Sequence, residues 1–262
     1  MMKLIGHSGC DILLLNKNDI YFVRKISKDK NYNSRLEIQF KKQKEFWHSI
    51  IQTPKIYDSG YLDDLFYFDM EYVNGVKFND FIKVNNFNKT KYYFSVITDF
   101  IFSNIRDESL SFENVILNKI NTIVNTNLID NKVIENLKII SNKKIPSGYC
   151  HGDLTFENII IANNSIYLID FLDSFIDSPI IDISKLLQEF DMNWSNRNYP
   201  SDFSTIVKNH FLKIILLDRV VKEIADIPVL TLQRKLTLMR ILPYATNLGI
   251  KLRLLDIINK QI

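Results

Sequence analysis

Between residues 143 and 179 the chain changes texture, and this change constrains its fold more than any other feature. Helical periodicity stops at Lys143-Lys144-Ile145-Pro146-Ser147-Gly148 and gives way to a polar loop, His151-Gly152-Asp153-Leu154-Thr155-Phe156-Glu157-Asn158. Two short apolar runs, 159–162 and 166–169, then flank Asn163-Asn164-Ser165, a tight-hairpin signature. Helical patterning resumes near 180–191. The hairpin folds the chain back, so Asn158 and Asp170, 12 residues apart, can face one volume at its open end.

The first third of the chain reads as β-rich with one helix. Strand-like runs at 12–15 and 20–26 surround Asn16-Lys17-Asn18-Asp19, and runs at 55–61 and 65–73 surround Asp63-Asp64; both separators have hairpin-turn composition. Ser34 is the expected N-cap of a helix running through Leu36, Phe40, Phe46 and Trp47, with Pro54 marking its end. Asn74-Gly75 closes this part. Beyond it the spacing predicts helices near 76–84, 89–106, 112–125 and 130–142, and after the hairpin near 180–191, 202–223 and 230–258. The pattern is α+β, with two lobes expected at 1–74 and 75–262 and no repeat or flexible linker between them.

Composition narrows the functional classes. With 46% hydrophobic and 24% charged residues the chain is globular rather than disordered. Its net charge of +3 arises from interspersed charges, which points to neither nucleic acid nor a membrane surface. Cys10 and Cys150 are too few and too isolated for a disulfide framework or a structural zinc site, so a cytoplasmic setting is expected. No apolar run reaches membrane-spanning length. Cys150 reads as a small buried residue and Trp47 and Trp194 as packing aromatics, while His7, His48 and His210 lack metal-ligand spacing.

Phosphoryl transfer needs a carboxylate to orient the attacking hydroxyl and oxygen ligands to hold Mg²⁺ against the phosphates. A loop Asp, an Asn five positions on and a second Asp beyond a short hairpin meet those needs. The segment resembles the kinase catalytic loop H-x-D-x-x-x-x-N followed by a metal-binding D-F pair. With His-Gly-Asp in place of His-Arg-Asp and Ile169-Asp170-Phe171 afterwards, it is similar to the aminoglycoside phosphotransferase, choline/ethanolamine kinase and fructosamine kinase superfamily. The resemblance implies a bilobal protein-kinase-like fold, with a small β-rich N-terminal nucleotide-binding lobe and a larger, mainly helical C-terminal lobe. It implies ATP and Mg²⁺ as cofactors, Asp153 as catalytic base, Asn158 and Asp170 as metal ligands, and His151 in a structural role bonding backbone near Asp170. It also implies that Asp182, following Pro179, anchors the catalytic loop.

The amino-terminal region fits the same resemblance. Gly6-His7-Ser8-Gly9 before a hairpin can bring backbone N–H groups close to phosphates, which makes Gly6, Ser8 and Gly9 candidate nucleotide contacts. In Tyr21-Phe22-Val23-Arg24-Lys25-Ile26, strand alternation puts Val23 and Lys25 on one face and Arg24 on the other. Lys25 resembles the phosphate-contacting lysine, with Arg24 as the alternative. The family's usual helix Glu, partner of that lysine, falls near Gln39 when counted back from Pro54; either Gln39 substitutes for it or the register differs. Phe68-Asp69-Met70-Glu71-Tyr72-Val73-Asn74-Gly75 resembles the strand-to-hinge segment that reads adenine through backbone groups, with Glu71 and Val73 at the contact positions.

A small-molecule hydroxyl acceptor is the expected partner, and no oligomer is assigned. Asp173 and Asp177 are candidates for facing it, or are solvated loop carboxylates. Similarity of the catalytic segment to bacterial phosphotransferases of surface-polysaccharide biosynthesis implies a sugar or polyol. An aminoglycoside, choline or ethanolamine is the alternative acceptor, and a nucleotide-binding regulatory pseudokinase the non-enzymatic one. Thr155 stands where protein kinases carry Lys and no Ala-Pro-Glu segment follows Asp170, which sets protein-kinase activity below small-molecule transfer.

Overall fold

Three pairs of adjacent Asn or Asp residues adopt left-handed backbone conformations and shape the β structure. Asn18 and Asp19 have φ of 51° and 62°, Asp63 and Asp64 50° and 63°, and Asn163 and Asn164 49° and 60°. Two consecutive residues with positive φ make the mirror-image turn whose twist matches antiparallel strands, and Asn and Asp tolerate that conformation best among residues with side chains. Each pair closes a hairpin where the sequence places one.

The structure is a computed structural model that describes residues 2–4, 9–124, 128–224, 226–245 and 247–260. In chain order its elements begin with β1 (Met2–Leu4), β2 (Cys10–Lys17), β3 (Ile20–Ser27), α1 (Asn33–Lys44), β4 (Ile51–Gln52), β5 (Ile56–Leu62), β6 (Leu65–Glu71) and β7 (Val76–Lys77). Next come α2 (Phe78–Val84), α3 (Phe87–Ser103), β8 (Ser109–Ser111), α4 (Glu113–Val124), α5 (Asn131–Ile140) and β9 (Lys144–Pro146). The hairpin β10 (Ile159–Ala162) and β11 (Ser165–Leu168) precedes α6 (Pro179–Met192), α7 (Phe203–Glu223), α8 (Ile227–Ile241) and α9 (Leu248–Asn259). This α+β arrangement has a β-rich amino-terminal part and a helical carboxy-terminal part. Among the described residues no helix is long and apolar enough to cross a membrane.

The residues divide into two compact units. The first joins Met1–Phe78 to Asn158–Asp173; the second joins Asn79–Glu157 to Ser174–Ile262. In the first, an antiparallel sheet has the order β1-β2-β3-β6-β5, and a second sheet has the order β4-β11-β10-β7. Leu36 on α1 packs into a core with Cys10, Val23, Phe66, Phe68 and Met70, and the Phe40 ring lies 5.8 Å from that of Phe66 and 5.6 Å from that of Phe68.

Helix α1 differs from expectation at both ends. Tyr32 occupies its N-cap without a side-chain bond, while Ser34 is exposed, because the turn Lys30–Tyr32 starts the helical path earlier and Asp29 caps that turn through the Tyr32 amide. The helix stops at Lys44, well before Pro54. His48 Nδ1 then accepts the amides of Ile50 and Ile51, turning the chain into β4, which pairs in parallel with β11. Trp47 consequently lies beyond the helix and is 84% exposed rather than packed, whereas Trp194 stacks beneath the Arg197 guanidinium at 4.5 Å.

In the second unit, α6 is buried almost along its length, and α8 buries residues on every side. The single helix expected over 230–258 is two: α8 ends at Ile241, a short turn containing Pro243 follows, and α9 starts at Leu248. Proline lacks the amide that would continue the ladder and its ring crowds the preceding turn. Buried Asp191 at the end of α6 ties α7 and α8 to it, accepting Lys213 at 2.8 Å and Arg234 at 2.7 Å. Asp191→Ala removes both bonds from partners that stay partly hydrated. The substitution should lower the free energy of urea unfolding by about 2 kcal/mol.

Candidate active site

Helix α6 would be an ordinary core helix were it not for its charges. Asp182, Lys185 and Glu189 fall at i, i+3 and i+7, the spacing of one helix face, and all three are buried. Buried charges require partners, and the loop 151–156 supplies them. Asp182 accepts the His151 amide through Oδ2 at 2.7 Å and the Gly152 amide through Oδ1 at 2.9 Å. Lys185 Nζ lies 2.9 Å from Asp153 Oδ1. Glu189 Oε1 accepts the Phe156 amide at 3.0 Å. One helix face thus holds the loop at its start, middle and end.

Gly152 is the residue that lets the loop run this way. Its φ of 90° is unfavourable for any residue with a side chain, which explains Gly where protein kinases have Arg. His151 is fully buried and its Nδ1 accepts the Asp153 amide at 3.3 Å. Cys150 is fully buried, with Sγ 3.2 Å from Ser174 Oγ. Burial alone would raise the Asp153 carboxyl; the Lys185 charge and bond, with His151 and Arg240, hold it below the ordinary value instead. Asp153 is therefore an anion at neutral pH.

In the first unit, Lys25 is buried on β3 and its ammonium pairs with the Asp170 carboxylate. Burial opposes the charge on Lys25, but Asp170, with Cys10 and Tyr32, outweighs it and raises the ammonium above its ordinary value. Arg24, on the opposite face, is committed to Asp69 by two bonds of 2.7 and 2.8 Å and lies 4.3 Å from the Tyr67 ring. Asn158 and Asp170 bracket the β10–β11 hairpin: the Asn158 carbonyl accepts the Ile169 amide at 3.0 Å, and Asp170 follows with a left-handed φ of 63°. A carboxamide and a carboxylate at one hairpin end are hard oxygen donors that suit Mg²⁺, which commonly takes one or two protein ligands and completes its shell with phosphates and water. Among the described residues no cluster of three or more His, Cys, Asp or Glu forms a self-sufficient metal cage.

Gly6 and Ser8 lie outside the described residues. Gly9 packs against Tyr32, whose ring would be 2.4 Å from a Cβ at that position, so a larger residue forces that ring to move. Gln39 is buried and donates to the Tyr32 hydroxyl at 3.2 Å; among the described residues this is its bond, and the carboxylate beside Lys25 is that of Asp170. The Glu71 amide and carboxylate are both engaged by Lys55, at 2.8 and 3.2 Å. Val73 follows β6 outside any helix or strand, with no backbone hydrogen bond to another backbone group among the described residues. Asp173 is exposed in the first unit. Asp177 is exposed in the second, where its carbonyl accepts the Gly148 amide at 3.2 Å. Sequence reading passed over Tyr32, Lys185 and Glu189. The available signal was Lys and Glu embedded in Ile183-Ser184-Lys185-Leu186-Leu187-Gln188-Glu189, too apolar a setting for a solvated face.

Glu189 also accepts the Ser195 amide and hydroxyl, at 2.9 and 2.7 Å, yet burial pushes its carboxyl up to about 7 from an ordinary 4.5. The folded chain therefore holds a proton there that the unfolded chain has released. The stabilisation is fully present below the ordinary value and is lost as pH rises through the folded value. From pH 5 to 8 this site should remove about 2 to 3 kcal/mol of unfolding free energy. Glu189→Gln, which cannot ionise, should flatten that slope in urea titrations. Equal slopes for the two proteins contradict the assignment.

Comparison with known proteins bears on the loop segment and on the fold. Residues 131–203, which include the loop, the hairpin and α6, match the model of the phosphotransferase enzyme family. The fold matches a thermostable mutant of aminoglycoside phosphotransferase APH(4)-Ia, in ternary complex with ADP and hygromycin B, at TM-score 0.64 and 12% identity, over 98% of this chain and 92% of that one. ADP-bound aminoglycoside phosphotransferase APH(2'')-Ib matches at TM-score 0.56 and 16% identity, over 98% and 93% of the two chains. A bifunctional tRNA threonylcarbamoyladenosine biosynthesis protein of Methanosarcina mazei is 29% identical over 104 residues. The match takes in 38% of this chain, which spans only 19% of that relative's length. The segment 131–203 thus resembles the phosphotransferase enzyme family, and the chain as a whole has the fold of the aminoglycoside phosphotransferases.

Proposed function

We propose that the protein is an ATP-dependent phosphotransferase that moves the γ-phosphoryl group of ATP to a hydroxyl of a small polar metabolite. The observation that carries this reading is the catalytic loop held by one face of α6, with Asp153 kept anionic by Lys185. A carboxylate that stays ionised at neutral pH orients a hydroxyl and accepts its proton as the oxygen–phosphorus bond forms. The β,γ-bridging bond breaks in the same displacement and ADP leaves.

Lys25 contributes a buried positive charge for the phosphates, and the proposed ligands Asn158 and Asp170 would hold Mg²⁺, which neutralises phosphate charge when bound. Only four residues separate Asp153 from Asn158, so base and ligand are tied closely along the chain. Gly9, with Gly6 and Ser8, is assigned to the phosphate loop, and Gln39 acts on that loop through Tyr32, which touches both. Val73, whose backbone makes no backbone hydrogen bond among the described residues, is the proposed adenine contact, with Glu71 ending the strand that leads to it. We put the lobe boundary at 74/75, three residues beyond the end of that strand.

For the acceptor, a sugar or polyol destined for surface polysaccharide is favoured by the character of the catalytic segment. Exposed Asp173 and Asp177 offer hydroxyl-binding carboxylates. The buried cysteines Cys10 and Cys150, in no disulfide among the described residues, fit a cytoplasmic setting. A panel of sugars, polyols, amino alcohols and aminoglycosides, assayed for acceptor-dependent ADP release with Mg²⁺, should identify one class. With that acceptor, Asp153→Asn should reduce kcat by about 10³-fold while ATP still binds. Unimpaired turnover in the variant rejects Asp153 as the base.

A further inference from the structure

Thr155 leaves the catalytic loop without the lysine that protein kinases place two residues after the base. The structure supplies a cation from elsewhere. Lys185 comes from α6, its residue is only 8% exposed, and its ammonium meets Asp153 at 2.9 Å. Gln188, one turn further along, accepts a second N–H at 3.3 Å and orients the group. An ammonium has three donors, so one remains uncommitted among the described residues. Thr155 itself is buried, so a lysine at that position would have to share the interior with Lys185.

We infer that Lys185 is a positioning residue for phosphoryl transfer, a helix-borne replacement for the cation that the loop lacks at Thr155. The inference rests on the phosphotransferase reading for its chemistry and on the Lys185–Asp153 contact for its geometry. Before transfer, Lys185 holds the base ionised and fixes the direction of its carboxylate toward the acceptor hydroxyl. As the hydroxyl oxygen bonds to the γ-phosphorus, its proton passes to Asp153 and the β,γ-bridging bond breaks toward ADP. Asp153 is then neutral, and Lys185 loses its counter-charge while negative charge is moving through the transferring group. A fixed cation at that moment stabilises the transition state without reorganisation. An apolar residue at position 185 would pack as well but would leave the base to the effect of burial.

The test uses the full chain with Lys185→Met and the milder Lys185→Gln, taking whichever stays folded by circular dichroism. The carboxyl titration of Asp153, followed by carbon-13 NMR, should move to higher pH. This readout needs no turnover, so it stands even if every acceptor fails and the phosphotransferase reading is lost. With an acceptor, kcat should fall about 10²-fold and the acid limb of its pH profile should shift upward. The KM for ATP should stay within about threefold. Adding Thr155→Lys to the Lys185 variant should recover at least about tenfold in kcat. An unmoved Asp153 titration, or a loss expressed only as weaker ATP binding, overturns the inference.

Discussion

A buried helix that carries charge must find partners for it, and the proposed site depends on how α6 does so. Asp182 and Glu189 take three amides of the loop 151–156 between them, and Lys185 takes its central carboxylate. The bonds to the Asp182 carboxylate, a charged acceptor, contribute about 1.5 to 3 kcal/mol each, and far more is at stake if a buried charge is left unpaired. The loop therefore has little freedom to rearrange without stranding a charge in the interior. A segment with no regular secondary structure acquires the rigidity of the helix beneath it, which is what a positioned base requires.

A second regularity is the pairing of each proposed catalytic anion with a lysine from within its own unit. Asp170 has Lys25, and Asp153 has Lys185. Both lysines are buried, so each charge is held where water screens it weakly. Neither buried lysine is left without a counter-charge, and the Lys25–Asp170 contact is the one that a metal-bound triphosphate would replace under the proposed function. Tyr32 links the remaining pieces of the first unit, touching Gly9 with its ring and Gln39 with its hydroxyl. A neutral Gln there is compatible with a buried Lys25 whose compensating carboxylate comes from the hairpin end.

The sequence made much of this legible because the decisive features are local. Asn and Asp pairs fixed three hairpins, and the loop spacing singles out Asp153, Asn158 and Asp170 as the proposed base and metal ligands. What escaped is non-local or too short to have a period. The two-residue strand β4 exists because His48 turns the chain and β11 offers an edge, and neither fact appears in a hydrophobic pattern. Trp47 looked like part of an apolar helix face, but the helix ends at Lys44. The roles of Lys185 and Glu189 depend on loop partners about 30 residues earlier in the chain, which no local spacing reveals. Pro243 lies within the 230–258 pattern and divides it into two helices, a local signal that the apolar spacing outweighs.

Crystals of the full chain grown with AMP-PNP and Mn²⁺ offer the most direct measurement, since manganese is located by its anomalous scattering and replaces magnesium at oxygen sites. The account predicts a metal peak bonded to the Asn158 carboxamide oxygen and the Asp170 carboxylate, with the Lys25 ammonium transferred to the phosphates and Asp153 still on Lys185. A metal–nucleotide complex bound without Asn158 and Asp170, or a triphosphate remote from Lys25, would contradict it.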